Sequence, residues 1–356
     1  MNSRALVVGG GVVGCLTALA LAERGWQVTL ADQGRVGEES SWAGGGILFP
    51  LLPWNYSESV NRLALAGAAR YPALCQQLLQ ETGIDPQYQV SGLRILPKFD
   101  TDTALLWCQL HNVTAEIKNQ SLWLPQVAQA RNPRLMQALR AFLLKRGVEI
   151  LEHITLAPLP TKNGHLSAWQ SLDGRRFEAD AFVLTAGAWS SNLLGAQALS
   201  LPFKPMRGQM LLYKLAPDVL QNMLYCEDFY LIPRRDGYIL AGSTVEDVGF
   251  DKTTTAEAAR HLAVRAAELL PALIKAPIIK HWSGLRPGSP DNVPVIARHP
   301  QFDNLYINTG HFRYGVTMAP ASAQLLGALI AGEKPFADVS AYAFPQQGVA
   351  SASSSV

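Results

Sequence analysis

A glycine triplet near the start of the chain constrains the fold more than any other feature. Gly9, Gly11 and Gly14 follow the apolar run Ala5–Val8 and precede an alanine- and leucine-rich stretch, after which a second apolar run spans Val28–Ala31. This order is typical of a β-α-β unit of about 30 residues. In such a unit the first glycine allows a tight turn, the second lets the backbone approach a pyrophosphate, and the third lets helix and strand pack closely. Because a helix N-terminus favours negative charge, the pattern predicts a dinucleotide site.

Asp32 lies just after the second apolar run, 18 residues beyond Gly14. An acidic side chain at this place can accept hydrogen bonds from both ribose hydroxyls, and it would repel a 2′-phosphate. The residue therefore argues against a 2′-phosphorylated cofactor and leaves NAD and FAD open.

The composition narrows the class of protein. Of the 356 residues, 48% are hydrophobic and only 16% are charged, with a net charge of +2. An average soluble protein has about 25% charged residues. The high apolar content excludes disorder, and the lack of a basic run argues against a nucleic-acid partner. A low charged share is compatible with a large internal cofactor.

Cysteine spacing and the lack of targeting signals favour the cytoplasm. The four cysteines match no zinc motif and no disulfide framework, so we predict no metal site. The N-terminus has no separate hydrophobic region and cleavage site, and no apolar stretch reaches the ~18 residues needed to span a membrane. We expect a cytoplasmic protein with no transmembrane segment.

Period-two patterns in the middle of the chain predict antiparallel strands at Met210–Tyr213, Phe229–Pro233 and Tyr238–Ala241, with a hairpin turn at 234–237. Strand-and-helix units lie on both sides of this region. The predicted fold class is therefore α/β, a Rossmann-like cofactor domain with an inserted antiparallel-sheet α+β substrate domain.

Local patterns also predict a helix at Asn61–Leu79 and a strand at Phe177–Thr185. The domain boundaries follow from these elements. We expect the cofactor domain to comprise residues 1–85, 135–200 and 276–345, the substrate domain residues 86–134 and 201–275, and a disordered tail residues 346–356.

Six blocks of sequence carry a family resemblance. They are VVGGGVVG (7–14), SSWAGGGIL (40–48), PMRGQM (205–210), FYLIPRRDGYILAGST (229–244), SGLRPGSPDNVPVI (283–296) and NTGHFRYGVTMAP (308–320). In this order they span nearly the whole chain. The chain resembles the D-amino-acid oxidase superfamily of FAD-dependent oxidoreductases, and within it the glycine-oxidase type linked to thiamine biosynthesis.

The resemblance implies FAD as the cofactor and assigns residues to it. The last cysteine, Cys226, precedes the C-terminal flavin-contacting block, so we expect the FAD to be non-covalent. His311 is expected to contact FAD rather than to act as a general base, because hydride transfer needs positioning rather than a strong acid or base. The implied FAD contacts are Gly9, Gly11, Val12, Val13, Gly14, Asp32, Gln33, Ser40, Ser41, Gly45, Gly46, Ile47, Leu156, Ala186, Gly187, His311, Phe312, Arg313, Tyr314, Gly315, Val316 and Thr317.

The substrate residues implied by the resemblance are Arg286, Tyr230 and Arg313. Arg286 stands between glycine and proline residues on a stiff turn, and a guanidinium is a natural bidentate partner for a carboxylate. The resemblance implies oxidative deamination of glycine or small D-amino acids, with O2 as electron acceptor. Family members often carry a small polar residue in place of Tyr314, which leaves the shape of the substrate cavity open.

Several alternatives remain at this point. The same site could serve a D-amino-acid dehydrogenase, or an oxidase of N-methyl or secondary amino acids such as sarcosine. A more remote class is a nucleotide-binding module without redox turnover, or a flavoprotein that modifies tRNA. The sequence does not determine the preferred side chain, and it leaves a homo-oligomer open.

Overall fold

The computed structural model describes residues 3–161, 164–199 and 201–344. The tail predicted to be disordered, residues 346–356, lies outside the described residues. The strands are β1 (Arg4–Val8), β2 (Gln27–Ala31), β3 (Gln89–Val90), β4 (Leu93–Ile95), β5 (Glu116–Lys118), β6 (Ser121–Leu124), β7 (Ala128–Gln129), β8 (Glu149–Leu151), β9 (Trp169–Gln170), β10 (Arg176–Phe177), β11 (Ala181–Leu184), β12 (Lys204–Lys214), β13 (Met223–Cys226), β14 (Phe229–Pro233), β15 (Tyr238–Gly242), β16 (Ile278–Gly288), β17 (Val295–Arg298) and β18 (Leu305–Thr309). The α-helices are α1 (Val12–Ala22), α2 (Ser40–Ala43), α3 (Glu58–Ala68), α4 (Tyr71–Thr82), α5 (Thr101–Leu110), α6 (Asn132–Lys145), α7 (Ser190–Leu194), α8 (Ala256–Leu269) and α9 (Gly315–Ala331).

A six-stranded sheet in the order β17-β18-β11-β1-β2-β8 forms the first layer. Its strands are parallel apart from β17, which pairs antiparallel with β18 at one edge. Both faces are covered: Ala5 and Val7 pack into one apolar cluster, and Leu6 and Val8 into another with Phe182. Because both faces of this parallel sheet are buried, the residues of β1 from Ala5 to Val8 form a continuous apolar run in the sequence.

An eight-stranded sheet in the order β16-β12-β15-β14-β13-β4-β6-β5 forms the second layer. Its pairs are antiparallel apart from β13 with β4. One face carries Leu211 and Tyr213 against Leu262 of α8, and the opposite face buries Met210 and Phe49. Strand β16 pairs within this sheet, although we placed residues from 276 onward in the cofactor domain. The division into two domains itself stays a prediction.

The predicted α/β class is confirmed, but two local predictions are wrong. The helix expected at Asn61–Leu79 is interrupted, since α3 ends at Ala68 and α4 starts at Tyr71. Pro72 lies in the first turn of α4, where its missing N–H is tolerated, whereas it would disrupt a helix interior. The strand expected at 177–185 is also shorter, because 176–177 pair with β9 in a separate hairpin.

The stretch Phe312–Ala331 is long and apolar enough to cross a membrane by length and composition, but 67% of its most apolar window is buried inside the fold. It includes α9, which packs against α1 and α3. That is the position of a core helix. A transmembrane segment therefore has weak support, and the cytoplasmic location stays a prediction.

The carboxyl ends of β1, β2, β11 and β18 meet at one edge of the first sheet. Helix α1 starts directly after β1, and α9 starts shortly after β18. In open parallel sheets, ligands bind at this edge.

Candidate active site

The turn after β1 brings the backbone of α1 very close to the strand. Gly9 has a φ of +108°, a left-handed conformation that favours glycine, and a Cβ on Gly14 would lie 1.8 Å from the Gly9 carbonyl oxygen. The Thr185 hydroxyl donates to the Gly9 carbonyl at 2.7 Å and also lies 3.0 Å from the Val8 carbonyl. The Thr185 side chain, which directly follows β11, therefore holds the glycine turn and the end of β1 in place.

Asp32 is bonded to the same turn. Its carboxylate accepts hydrogen bonds from the Gly10 N–H at 2.6 Å and the Gly34 N–H at 2.7 Å. Burial raises the pKa of Asp32, and the hydrogen bonds from Gly34 and Gly10 oppose that rise. The carboxylate is thus held beside the glycine turn, where the ribose of a dinucleotide would lie.

A cavity opens at the carboxyl edge of the sheet. It joins the glycine turn and Asp32 at one part of its wall to Arg286 and Arg313 at another. The predicted site residues that line it are Gly9, Gly11, Val12, Val13, Asp32, Gln33, Ser40, Ser41, Leu156, Ala186, Gly187, Arg286, His311, Phe312, Arg313, Gly315 and Val316.

Other predicted site residues are not among those that line this cavity. They are Gly14, Gly45, Gly46, Ile47, Tyr230, Tyr314 and Thr317. Two of them bond to loop 47–51 instead: the Thr317 hydroxyl donates to the Ile47 carbonyl at 3.0 Å, and the Tyr314 hydroxyl to the Leu51 carbonyl at 2.9 Å. Their contact with FAD stays a prediction.

Further lining residues were missed by the sequence analysis. Many of them end a strand of the first sheet or directly follow one, and the rule that ligands bind at strand carboxyl ends could have found those. The missed lining residues are Val8, Ala31, Glu39, Gly44, Ile154, Thr155, Thr185, Trp189, Leu193, Pro287, Asn308 and Thr309.

The loop around α2 is bonded to the glycine turn. The Ser41 hydroxyl accepts from the Val12 N–H, at 2.9 Å, in the first turn of α1. The Ser41 carbonyl accepts from the Asn132 side chain at 2.8 Å, and the Ser40 hydroxyl bonds to the Leu285 carbonyl. Both serines thus fix the loop at the place where it lines the cavity.

Arg234 holds the glycine-rich end of this loop, a role that the sequence analysis missed by treating it as part of a hairpin turn. Only 6% of the residue is exposed. Its guanidinium donates to the Gly45 carbonyl at 2.7 Å, the Ala130 carbonyl at 3.1 Å and the Gln129 side chain at 2.5 Å. Burial lowers the pKa of Arg234 to about 9, so the group stays charged at neutral pH.

Arg286 lies on strand β16, paired with Met206 of β12, so the stiff turn expected from its glycine and proline neighbours is wrong. Its guanidinium is bonded to neutral oxygens. It donates to the Thr244 carbonyl at 3.1 Å and to the Ser243 hydroxyl at 2.7 Å. Burial lowers the pKa of Arg286, while neighbouring Tyr230 raises it and Arg313 lowers it. The positively charged guanidinium therefore lines the cavity, and neither of these two hydrogen-bond partners is a carboxylate.

His311 begins a buried polar chain behind the cavity. Its Nε2 lies 2.8 Å from the Ser322 hydroxyl, which donates to the Asn308 side-chain oxygen at 2.5 Å. Because that hydroxyl proton is directed to Asn308, Nε2 of His311 must donate. Burial lowers the pKa of His311 to about 3, so the ring is neutral. A neutral ring fits a positioning role better than proton transfer.

Comparison with known proteins agrees with this geometry. The model of the DAO family, described as FAD dependent oxidoreductase, matches residues 4–329. The chain belongs to this family.

The glycine oxidase of Pseudomonas putida is 43% identical, with 96% of this chain and 98% of that protein covered. The glycine oxidase of Pseudomonas aeruginosa is 44% identical over 96% of this chain and 99% of its own length. Among solved structures, glycine oxidase from Geobacillus kaustophilus superposes with a TM-score of 0.89 at 25% identity, covering 97% of this chain and 99% of that one.

This family member is an FAD-dependent amino-acid oxidoreductase. Its residues fit the cofactor, because one cavity joins a glycine turn without room for a Cβ, an aspartate at the ribose position and backbone N–H groups at the start of α1. In the described parts of the chain, no three His, Cys, Asp or Glu side chains are grouped to hold a metal ion.

We expect Arg234→Met to weaken FAD binding roughly tenfold or more. Hydrogen bonds to charged groups contribute about 1.5–3 kcal/mol, and the variant leaves the Gly45 and Ala130 carbonyls without this donor. FAD dissociation followed by flavin fluorescence would measure the effect, with Arg234→Lys intermediate. The exposed neighbour variant Arg235→Met is the matched control. A folded Arg234→Met protein with wild-type FAD affinity would contradict the assignment.

The neutral His311 predicts an acid-sensitive contribution to stability. Its pKa is about 3 when folded, against about 6.5 in an unfolded chain, so the unfolded state binds more protons between these values. The free energy of unfolding should therefore fall as the pH decreases through that window, by up to about 1.4 kcal/mol per pH unit. Urea unfolding at fixed FAD concentration should show a shallower pH slope for His311→Gln. The exposed variant His261→Gln should keep the wild-type slope, and equal slopes in all three proteins would refute the prediction.

Proposed function

We propose that the protein catalyses the oxidative deamination of glycine or small D-amino acids, with O2 as the electron acceptor. The observation that carries the proposal is Arg286, a half-buried guanidinium on the cavity wall whose hydrogen-bond partners are neutral. A carboxylate can bind such a group in a bidentate manner. Relatives of 43% and 44% identity named glycine oxidase support the same substrate class.

The surroundings of Tyr230 favour a small substrate. The Tyr230 hydroxyl lies 3.8 Å from the Met210 sulfur, and its ring lies close to Gly45 and Gly242. Ile47, Trp54 and Trp282 pack around the same apolar cluster. We take these apolar side chains, which pack around Tyr230, as the group that limits the bulk of a substrate side chain.

The residues of the chain bind and orient the substrate. Arg286, with Tyr230 beside it, holds the carboxylate and thereby places the α-carbon and its amine. FAD, when bound, supplies the acceptor for the hydride that leaves the α-carbon. As the hydride leaves, the lone pair of the neutral amine forms a double bond to the α-carbon, and water hydrolyses the resulting protonated imine to an oxo acid and ammonium. Because His311 is neutral and bonded to Ser322, we assign no acid or base to the oxidation step.

A panel of amino acids tests this proposal. Under anaerobic conditions glycine, sarcosine, D-alanine and D-proline are each mixed with the holoenzyme, and the flavin absorbance is followed. We expect bleaching by glycine and small D-amino acids, and hydrogen peroxide once air is admitted. Faster bleaching by sarcosine would favour a secondary-amine oxidase, and bleaching without peroxide would favour a dehydrogenase. An absorbance unchanged by every compound would exclude amino-acid oxidation.

Arg286→Gln should raise KM for the amino acid by at least roughly thirtyfold. Removing one partner of a buried, hydrogen-bonded charge pair costs about 2 kcal/mol or more. Arg286→Lys should lose less, because it keeps the charge but not the bidentate geometry. Steady-state kinetics measures both, with FAD content determined in each variant because Arg286 lines the cofactor cavity. Arg298→Gln, an exposed arginine on β17, is the control, and an unchanged KM in Arg286→Gln would refute the carboxylate role.

A further inference from the structure

The cavity has a second arginine, whereas one amino-acid carboxylate needs a single guanidinium. Arg286 and Arg313 both line the cavity. Their charges interact, since Arg313 is among the groups that lower the pKa of Arg286, after burial. One bidentate guanidinium uses both oxygens of a carboxylate. The substrate carboxylate therefore leaves the Arg313 guanidinium without an anionic partner unless another group supplies one.

The two arginines differ in their partners. Arg286 donates to a carbonyl and a hydroxyl, both neutral. Arg313 instead forms an ion pair with Asp228, with its Nη1 lying 3.3 Å from Oδ1 of the carboxylate. The Arg313 side chain is 31% exposed and that of Asp228 is 69% exposed. The ion pair thus lies at the rim of the cavity, where water can replace either partner at low cost.

The turn between β13 and β14 holds Asp228 in place. The Tyr225 hydroxyl donates to Oδ1 of Asp228 at 3.2 Å and accepts from the Asp228 N–H at 3.2 Å. The same Oδ1 therefore bonds to Tyr225 and to Arg313. Tyr230, the residue beside Arg286, lies two positions further along the chain. The turn consequently joins the rim pair to the substrate site.

We propose that Asp228 is a specificity-determining residue of the substrate site. Its carboxylate pairs with the Arg313 guanidinium and so hinders a second acidic group from binding there. The site is thereby selective for substrates with one carboxylate over substrates with a second acidic group. This inference rests on the proposed function, because it takes Arg286 as the site of the first carboxylate.

The reason is electrostatic competition. A second acidic group that approached Arg313 would have to displace Asp228 and remain near its negative charge. Like charges brought together at a binding site oppose binding, and they select against the wrong partner. Without the Asp228 charge, Arg313 becomes available to the second acidic group while Arg286 keeps the first.

Binding of two non-reacting acids to the holoenzyme tests this inference without turnover. Acetate has one carboxylate and malonate has two, and each is titrated while the flavin absorbance is recorded. In Asp228→Asn the dissociation constant of malonate should fall about fivefold relative to that of acetate, the range of an exposed ion pair. The asparagine oxygen can still accept the Tyr225 bond, so the turn is preserved.

Two further variants isolate the cause. Glu227→Gln removes the same charge from the same turn, but Glu227 pairs with Lys98 and Arg265 instead of a cavity residue, so it should leave the ratio unchanged. Adding Arg313→Gln to Asp228→Asn should abolish the gain in malonate affinity.

An unchanged ratio in Asp228→Asn, undetectable malonate binding to that variant, or an equal gain in Glu227→Gln would each overturn the inference. A holoenzyme that oxidises no amino acid, yet shows the predicted change in malonate binding, would refute the proposed function and leave the role of Asp228 standing.

Discussion

The close approach between strand β1 and helix α1 is the contact on which the cofactor site depends. A side chain on Gly14 would meet the Gly9 carbonyl at 1.8 Å, so the helix can sit over the strand only with glycine there. This packing places the start of α1 in the wall of the cavity and brings Asp32 within 2.6 Å of the Gly10 N–H. The Ser41 hydroxyl then joins the next loop to the same helix turn. Binding of an anionic dinucleotide follows from backbone groups and a dipole rather than from positive side chains.

The charges inside the protein are few, and their partners differ with their position. Arg234 is surrounded by carbonyl and amide oxygens, and Arg286 by a carbonyl and a hydroxyl. Burying a charge is costly unless it is hydrogen-bonded, which these oxygens provide without neutralising it. Arg234 donates to protein groups from both of its terminal nitrogens and so stabilises a loop. Arg286 lines an open cavity and so can bind an anion. The 16% share of charged residues is in keeping with a chain that encloses its cofactor.

Local sequence patterns predicted the strands and the helix whose formation depends on residues close together in the chain. The glycine triplet between two apolar runs identified β1, α1 and β2, and the period-two segments identified β12, β14 and β15. The assignments of Arg286, Tyr230 and Arg313 depended on family resemblance, because no local pattern distinguishes a substrate arginine from a structural one. Contacts between distant segments escaped prediction. Arg234 and Gly45 are 189 positions apart, and Arg313 and Asp228 are 85 apart. The break between α3 and α4 escaped because apolar periodicity continues across it, although Pro72 marks it.

The positions of the two cavity arginines explain how one site can be both rigid and selective. Arg286 is held by the Thr244 carbonyl and the Ser243 hydroxyl, so its orientation is set before a ligand arrives. Preorganised donors of this kind reduce the cost of ordering on binding. Arg313 lies nearer the rim, and its carboxylate partner is mostly exposed. An exposed ion pair contributes little stability and exchanges readily, so it can influence which ligands enter without holding the fold together. Under the proposed function, Arg286 supplies the affinity for the amino-acid carboxylate, and the proposed role of Asp228 assigns discrimination between substrates to the rim.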